Sequence, residues 1–421
     1  MKLRNLELSA ANYLSKFPKI KYLVKICYLL VTYIFYKKNF KINSEYQIFK
    51  IEHKKNAETF FGYYDICPIN DDGLIIYHQS NTPTHKNPNL NNEITISVYD
   101  LYRKKNVYSI ISKAFNWQQG TRAQWLDTKH FIFNDFDEAS NQYISRIVSI
   151  EKKKIVSEFN YQVCSAFSNL FFLSLNYQRI YSLSPEYGYS NLSELSNYEL
   201  NNLKNDGIKI ISLKEKNPKF SVSIDDVISV DYQDKFSRAY HMIIHISISP
   251  DGKNFIFIHR YYIKNIRYDR LMLCNIKSKK INCLCNEQVV SHFYWKNNEE
   301  VLAYLKYSNH LGYWLIDIKS FKFTELRISE NDQDGHPTGN NNFFISDTYP
   351  DKASMQKLFF YDFKNSKTKI IGEFFHGFKF RGASRCDLHP RYCENNKILF
   401  FDSIYSGKRQ LYYLKFDETK I

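Results

Sequence analysis

Residues 245–260 read HISISPDGKNFIFIHR. A short run alternating apolar and polar residues meets a Ser-Pro-Asp-Gly turn. Five residues rich in Phe and Ile follow and close on His-Arg. Pro sets the turn's first dihedral, Asp bonds back to nearby backbone, and Gly supplies a positive φ, so the stretch predicts a β-hairpin. The same plan recurs on both sides. Upstream are DICPINDDGLIIYHQS (65–80), RAQWLDTKHFIFND (122–135) and VCSAFSNLFFLSLN (163–176). Downstream are SHFYWKNNEEVLAYLK (291–306), GHPTGNNNFFISDT (335–348) and LHPRYCENNKILFFDS (388–403).

A second apolar pair usually follows, as in ITISVYDLYRKKNVYSI after the first copy and LMLCNIKSKKINCL after the fourth. Two hairpins make a four-stranded unit, and seven units at about 54 residues each predict an all-β, seven-bladed β-propeller over residues 46–421. A pair of β-sandwiches is the competing architecture, but one turn motif repeated in register favours radial repetition. The gap at 177–244 predicts an insertion, with a short helix in SPEYGYSNLSELSNYELNNL.

Residues 1–45 form a separate basic, apolar segment. Its run YLVKICYLLVTYIFY (22–36) predicts a helix, and at fifteen residues with Lys25 inside it falls short of the ~20 needed to span a bilayer. Lysines flank it on both sides, which predicts peripheral contact of residues 16–41 with an anionic membrane surface. A helix packed on the main domain and a signal anchor remain alternatives; a small-residue cleavage site does not follow the run.

Composition agrees with a folded β protein: 44 % of residues are apolar, and 34 Tyr and 33 Phe favour strands. Lys and Arg exceed Asp and Glu by 15, which predicts an anionic partner. The basic residues are dispersed and no nucleic-acid module is recognisable, so nucleic acid is not the expected partner; acidic lipid and acidic polysaccharide remain. Thirteen glycines, with no phosphate-cradling loop, GxSxG elbow or HExxH, argue against a Rossmann domain and a conventional nucleotide-sugar transferase. The eight cysteines are scattered without a CxxC pair. Most are expected to be reduced thiols, in a cytoplasmic or inner-membrane-associated protein.

The innermost strand of each blade lines the channel, so polar residues near its start converge on one face. Collected over the repeats, they are Tyr63, Tyr64 and Asp65; Arg122, Gln124 and Trp125; His241 and His245; His292 and Tyr294; Asp334 and His336; Arg385, Asp387, His389 and Arg391. Arg122, Arg385 and Arg391 suit carboxylates of an acidic sugar, because guanidinium binds them bidentately. Tyr64, Gln124 and Trp125 complete the expected substrate-binding set, Trp125 by stacking on a sugar ring or, equally, as a core aromatic. His245 and His241 are candidate bases, since imidazole titrates near neutrality. His336, Cys386, Asp387 and His389 offer nitrogen, sulfur and oxygen ligands for a divalent metal, Zn or Mn.

The stretches FFGYYDICPIN, FNWQQGTRAQWL, DGHPTGNNNFFISDTYPD and RCDLHPRYCENNKILFFDS, with the hairpin at 245–260 and GKRQLYYL, resemble a propeller family of bacterial surface-polysaccharide gene clusters. They also resemble the seven-bladed polysaccharide lyases of the ulvan and oligogalacturonate type, over about residues 58–415. The resemblance implies β-elimination on uronate polymers with His, Tyr and Arg at the channel mouth, and a metal. His245 matches a channel histidine of that family. Of a Gln-x-x-His-x-His metal pattern only His389 is matched, the stretch here reading Ser384-Arg-Cys-Asp-Leu-His389. The lyases' tyrosine is sought at Tyr187 or Tyr189, and Arg260 joins Arg385 and Arg391 as a carboxylate-neutralising candidate. A noncatalytic glycan-binding scaffold and a glycosyltransferase of unusual fold are the alternatives.

Overall fold

The computed structural model describes residues 18–51, 57–89, 92–328 and 333–418. Seven antiparallel sheets are arranged as consecutive blades. Blade 4 is the clearest, with strands Tyr240–Ile248, Asn254–Ile263, Ile266–Asn275 and Ile281–Cys285 from channel to rim. The repeated turns fall between the first two strands of each blade, as the sequence predicts. In blade 4, Ser249 Oγ donates to Asp251 and accepts from the Asn254 amide, while Gly252 holds φ +70°. A Cβ on Gly252 would lie 2.5 Å from the Phe167 ring of blade 3, so the turn requires glycine for both conformation and space.

Middle strands are buried on both faces because blades stack on either side. Asn254–Ile263 is buried at seven consecutive positions, whereas the rim strand Lys105–Ser112 of blade 1 is mostly open to solvent. The core is therefore a ring of inter-blade layers. One layer unites Leu173, Ile210, Phe257, Leu273 and Val301 of blades 3 to 5; another unites Ile76, Val98, Phe133, Phe400 and Leu411 of blades 7, 1 and 2.

The insertion lies inside blade 3, between Phe171–Ser174 and Gly207–Ser212. It carries two short helices, Tyr177–Leu183 and Asn197–Leu200. Asn176 caps the first, and a Ser196–Glu199 capping box starts the second.

The N-terminal chain closes the ring. Phe49–Lys50 is the outermost strand of blade 7, whose other three strands, Arg391–Cys393, Ile398–Ser403 and Gln410–Lys415, come from the C-terminus. Just before it, Ile42–Ser44 adds a fifth strand to blade 6 beside Lys367–Phe375. Helix α1, Pro18–Tyr36, precedes these strands. Lys16 of the expected membrane segment lies outside the described residues. Among the described residues no helix is long and apolar enough to cross a membrane.

Cys67 and Cys393 form a disulfide joining blade 1 to blade 7, with Cα atoms 5.7 Å apart. Spacing could not reveal it, because the partners are 326 residues apart and meet only when the ring closes. Cys27, Cys164, Cys274, Cys283, Cys285 and Cys386 are free, in line with the reading for most of the cysteines.

Candidate functional site at the channel mouth

Inner strands start at one face of the ring, and four histidines gather there: His245, His292, His336 and His389 of blades 4 to 7. Each is at least 92 % buried. Two aromatic residues of blade 1, Tyr63 and Tyr64, fill the space between them.

His245 sits where the pairing of blade 4 slips between Ile244 and Ser247, with φ +55°. The bulge turns its side chain out of the strand's alternation and into the channel. Its ring stacks on Tyr63 at 5.0 Å and meets the edge of Tyr187 at 5.0 Å. Its Nε2 lies 3.4 Å from the Tyr63 hydroxyl, and its buried Nδ1 has no partner. Burial, and then the nearby Arg260 guanidinium, hold its pKa well below the ordinary histidine value. The imidazole is therefore uncharged near neutral pH.

His336 and His389 are arranged differently. The Asp347 carboxylate accepts from His336 Nδ1 at 2.8 Å, and the Gly62 carbonyl accepts from His389 Nδ1 at 2.8 Å. These acceptors place the protons on Nδ1 and leave both Nε2 atoms facing inward, buried and without a partner. Asp387 Oδ1 is buried and unpartnered as well. Ligand atoms of His336, Asp387 and His389 all lie within 4.8 Å of one another. Two imidazoles and one carboxylate with orphaned inward lone pairs suit a divalent transition metal such as Mn or Zn. Burial opposes a charge on His336, but Asp347 outweighs it and raises the pKa. Burial also opposes a charge on Asp387; Arg385 and His336 nevertheless hold its carboxyl below the usual range.

Above these groups opens a cavity of about 340 Å³. Arg260, Arg267 and Arg385 line it with Glu186, Tyr187, Tyr349, Ser291, His292, Asp334 and His245. Arg385 donates from Nη2 to the Tyr187 hydroxyl at 2.8 Å and from Nε to Asp387 at 2.6 Å. Asp269 holds Arg260 at 2.6 Å and Arg267 at 3.1 Å, the latter half exposed at the rim. Asp334 accepts from Ser291 at 2.6 Å and from His292 at 3.0 Å. Three guanidiniums line the cavity with the carboxylates of Glu186 and Asp334; Asp269 and Asp387 pair with the arginines from behind, and Arg267, half exposed, is the guanidinium most open to an incoming anion.

Of the predicted residues, His245, Arg260, Tyr187 and Arg385 line this cavity, and His336, Asp387 and His389 lie beneath it. Others stand elsewhere. His241 is buried against His259 at 2.9 Å and bonds the Phe236 carbonyl. Arg122 is clamped to Asp65 by two hydrogen bonds of 2.9 and 2.8 Å and also donates to the Cys164 carbonyl. Gln124 bonds the backbone of Arg122 and Ala166, and Trp125 donates to the Pro68 carbonyl. Tyr64 bridges to the Phe293 backbone. Arg391 is buried on Asp402 at 2.7 Å, and Tyr189 stacks on Tyr177. Cys386 is outside the ligand group; it packs with Phe380 and Ile404, and burial pushes its thiol up to about 12.

Arg267, Glu186 and Tyr349 were missed. They stand on mouth-face loops or hairpin ends rather than at inner-strand starts. A charged residue beside a strand 2–3 connection, as in Arg267 after the turn at 264–265, is the signal that points to them.

No protein-family model matches the chain, and no curated protein sequence matches it. Solved structures do. An oligogalacturonate lyase in complex with manganese is 12 % identical with a TM-score of 0.57, covering 91 % of this chain and 96 % of that one. Oligogalacturonate lyase from Vibrio parahaemolyticus is 10 % identical with a TM-score of 0.59, covering 90 % and 97 %. At these identities the likeness is one of fold, and the chain is a seven-bladed β-propeller of that architecture.

Proposed function

We propose that the protein cleaves an acidic polysaccharide by β-elimination at a uronate residue. The observation that carries this reading is the pairing, in one cavity, of a neutral buried imidazole, His245, with three guanidiniums. Elimination needs both. Arg260, Arg267 and Arg385 receive the uronate carboxylate and stabilise negative charge spreading onto it from the adjacent carbon. His245, in the cavity lining, takes the proton from that carbon. The carbon–hydrogen electrons become a ring double bond, and the glycosidic carbon–oxygen bond breaks. Tyr187, oriented by Arg385, is placed to return a proton to the leaving oxygen.

A divalent cation held by His336, Asp387 and His389 would add Lewis-acid neutralisation of the carboxylate. The lyase-type architecture of the two solved structures supports an acidic oligosaccharide as substrate class. The test is the ultraviolet absorbance of an unsaturated product across a panel of uronate polymers, with and without Mn²⁺ or Zn²⁺. Wild type forms product, and His245→Ala loses roughly 10²–10⁴-fold. Silence of the wild type across the panel, with glycan binding retained, sinks catalysis in favour of a binding propeller.

A further inference from the structure

Helix α1 leaves an apolar stripe uncovered on the face away from the propeller. At about 100° per residue, Val24, Cys27, Tyr28, Val31, Ile34 and Phe35 share one face. That face is open to solvent: Val24 is 45 % exposed, Val31 53 %, Ile34 65 % and Phe35 79 %. Tyr33, on the opposite face, docks the helix edge-on against Phe378 at 5.0 Å and beside Phe375 at 5.9 Å. Ile26 and Leu29 share the half-buried face with Tyr33, so one apolar face packs and the second is left uncovered.

The docking place is specific. Blade 6 runs its second strand toward the mouth face and its third strand away from it, so residues 348–354 form a mouth-face loop. Residues 376–390, leading to blade 7, form another. Tyr349 and Arg385, which line the cavity, belong to these same two loops. Lys352 sits 6.0 and 5.8 Å from the Tyr28 and Tyr36 rings. The strand Ile42–Ser44 then anchors the helix to blade 6, with the Phe375 amide bonded to the Lys41 carbonyl.

Charge identifies what covers the stripe. Residues 18–44 contain no Asp or Glu, and Lys37, Lys38 and Lys41 stand exposed at the end of the helix. Lys379 on the neighbouring loop is exposed too. A second copy of the chain would bring these lysines against one another. An anionic bilayer accepts both features, taking apolar side chains into its acyl boundary and lysines among its phosphates.

We propose that α1 seats the propeller on an anionic bilayer with the channel mouth turned toward that surface. The glycan drawn into the cavity is then one held at the membrane, a consequence that rests on the acidic-glycan reading above, whereas the seating does not.

The test uses the full chain and phosphatidylcholine vesicles with or without phosphatidylglycerol, read by co-sedimentation. Binding requires phosphatidylglycerol, weakens with salt, and falls at least tenfold in the double variant Val31→Glu, Phe35→Glu at unchanged melting temperature. Orientation is read in a Cys27→Ser background with an environment-sensitive dye on Lys379→Cys at the mouth or Lys253→Cys at the opposite face. Only the Lys379→Cys dye shifts to the blue on vesicles. Absence of sedimentation, self-association abolished by the double variant, or a response from the Lys253→Cys dye overturns the proposal. No elimination product enters these readouts, so a failure of the lyase reading leaves them standing.

Discussion

The Tyr63 hydroxyl lies 3.4 Å from His245 Nε2, and the two rings stack 10° from parallel. Blade 1 thereby orients, across the channel, the imidazole that blade 4 supplies. His245 Nδ1 has no partner of its own, so Tyr63 and the edge of Tyr187 are what hold the ring in place.

Tyr63 is accordingly a positioning residue. Tyr63→Phe keeps the stacked ring and removes the hydroxyl. We expect kcat to fall about fivefold, the scale of one neutral hydrogen bond of about 1 kcal/mol, with KM unchanged and the acidic limb of the rate–pH profile displaced. A KM effect with an unmoved pH profile would show that the hydroxyl meets substrate instead.

Metal binding is separable from catalysis. Mn²⁺ or Zn²⁺ added to metal-free protein is expected to raise the melting temperature, because an ion bound only by the folded state stabilises it, by about 2.7 kcal/mol at a hundredfold excess over Kd. His336→Ala and Asp387→Asn abolish the shift. Cys386→Ser retains it, since that thiol packs with Phe380 and Ile404 away from the ligand group. An equal shift in the His336 variant would remove the assignment.

Acid should destabilise the fold before any carboxylate with a lowered pKa is protonated. Burial lowers His78 and His241 from 6.5 to about 4. A depressed histidine pKa means that the unfolded chain takes up the proton first. This contribution is fully present above pH 6.5 and is lost progressively as pH falls to about 4, at up to about 1.4 kcal/mol per pH unit for each residue. The Asp334 and Asp387 carboxyls, held below 3.8, act only at lower pH. Denaturant midpoints measured from pH 7.5 to 4.5 should fall throughout the lower part of that range. A flat profile would contradict the neutral burial of these rings.

Ring closure is covalent as well as hydrogen-bonded. Breaking the Cys67–Cys393 bridge in the double Ser variant is expected to cost about 2–5 kcal/mol, because the bond restrains a very long loop in the unfolded chain. Thermal unfolding with and without reductant reads it. The wild type should lose stability on reduction and the variant should not respond; a wild type indifferent to reductant would count against the bridge.

Much of the fold was legible because its signals are local. The turn at 249–253 needs only Ser249, Asp251 and Gly252, and its six counterparts are equally short in range. The site was legible in part. Histidines near inner-strand starts do reach the mouth in blades 4 to 7. His241 does not, although it lies four residues from His245 on the same strand. The bulge between Ile244 and Ser247 breaks the alternation, sending His245 into the channel and leaving His241 against His259. The arginines divide for another reason. Arg385 keeps an accessible edge, whereas Arg122 and Arg391 are buried against Asp65 and Asp402, and the Arg122–Asp65 pairing across 57 residues carries no sequence signature.

Turn chemistry, strand patterning and the count of repeats were therefore determined by the sequence alone, since each depends on residues a few positions apart and on the number of times they recur. Which side chains share the mouth was decided only by the tertiary structure. His389 owes its proton placement to the carbonyl of Gly62, 327 residues away, and His336 and His389 both bond Asp347. Those partners meet only after seven blades have closed into a ring, with strand Phe49–Lys50 completing the last, so no local pattern can encode which imidazoles turn their lone pairs toward one another.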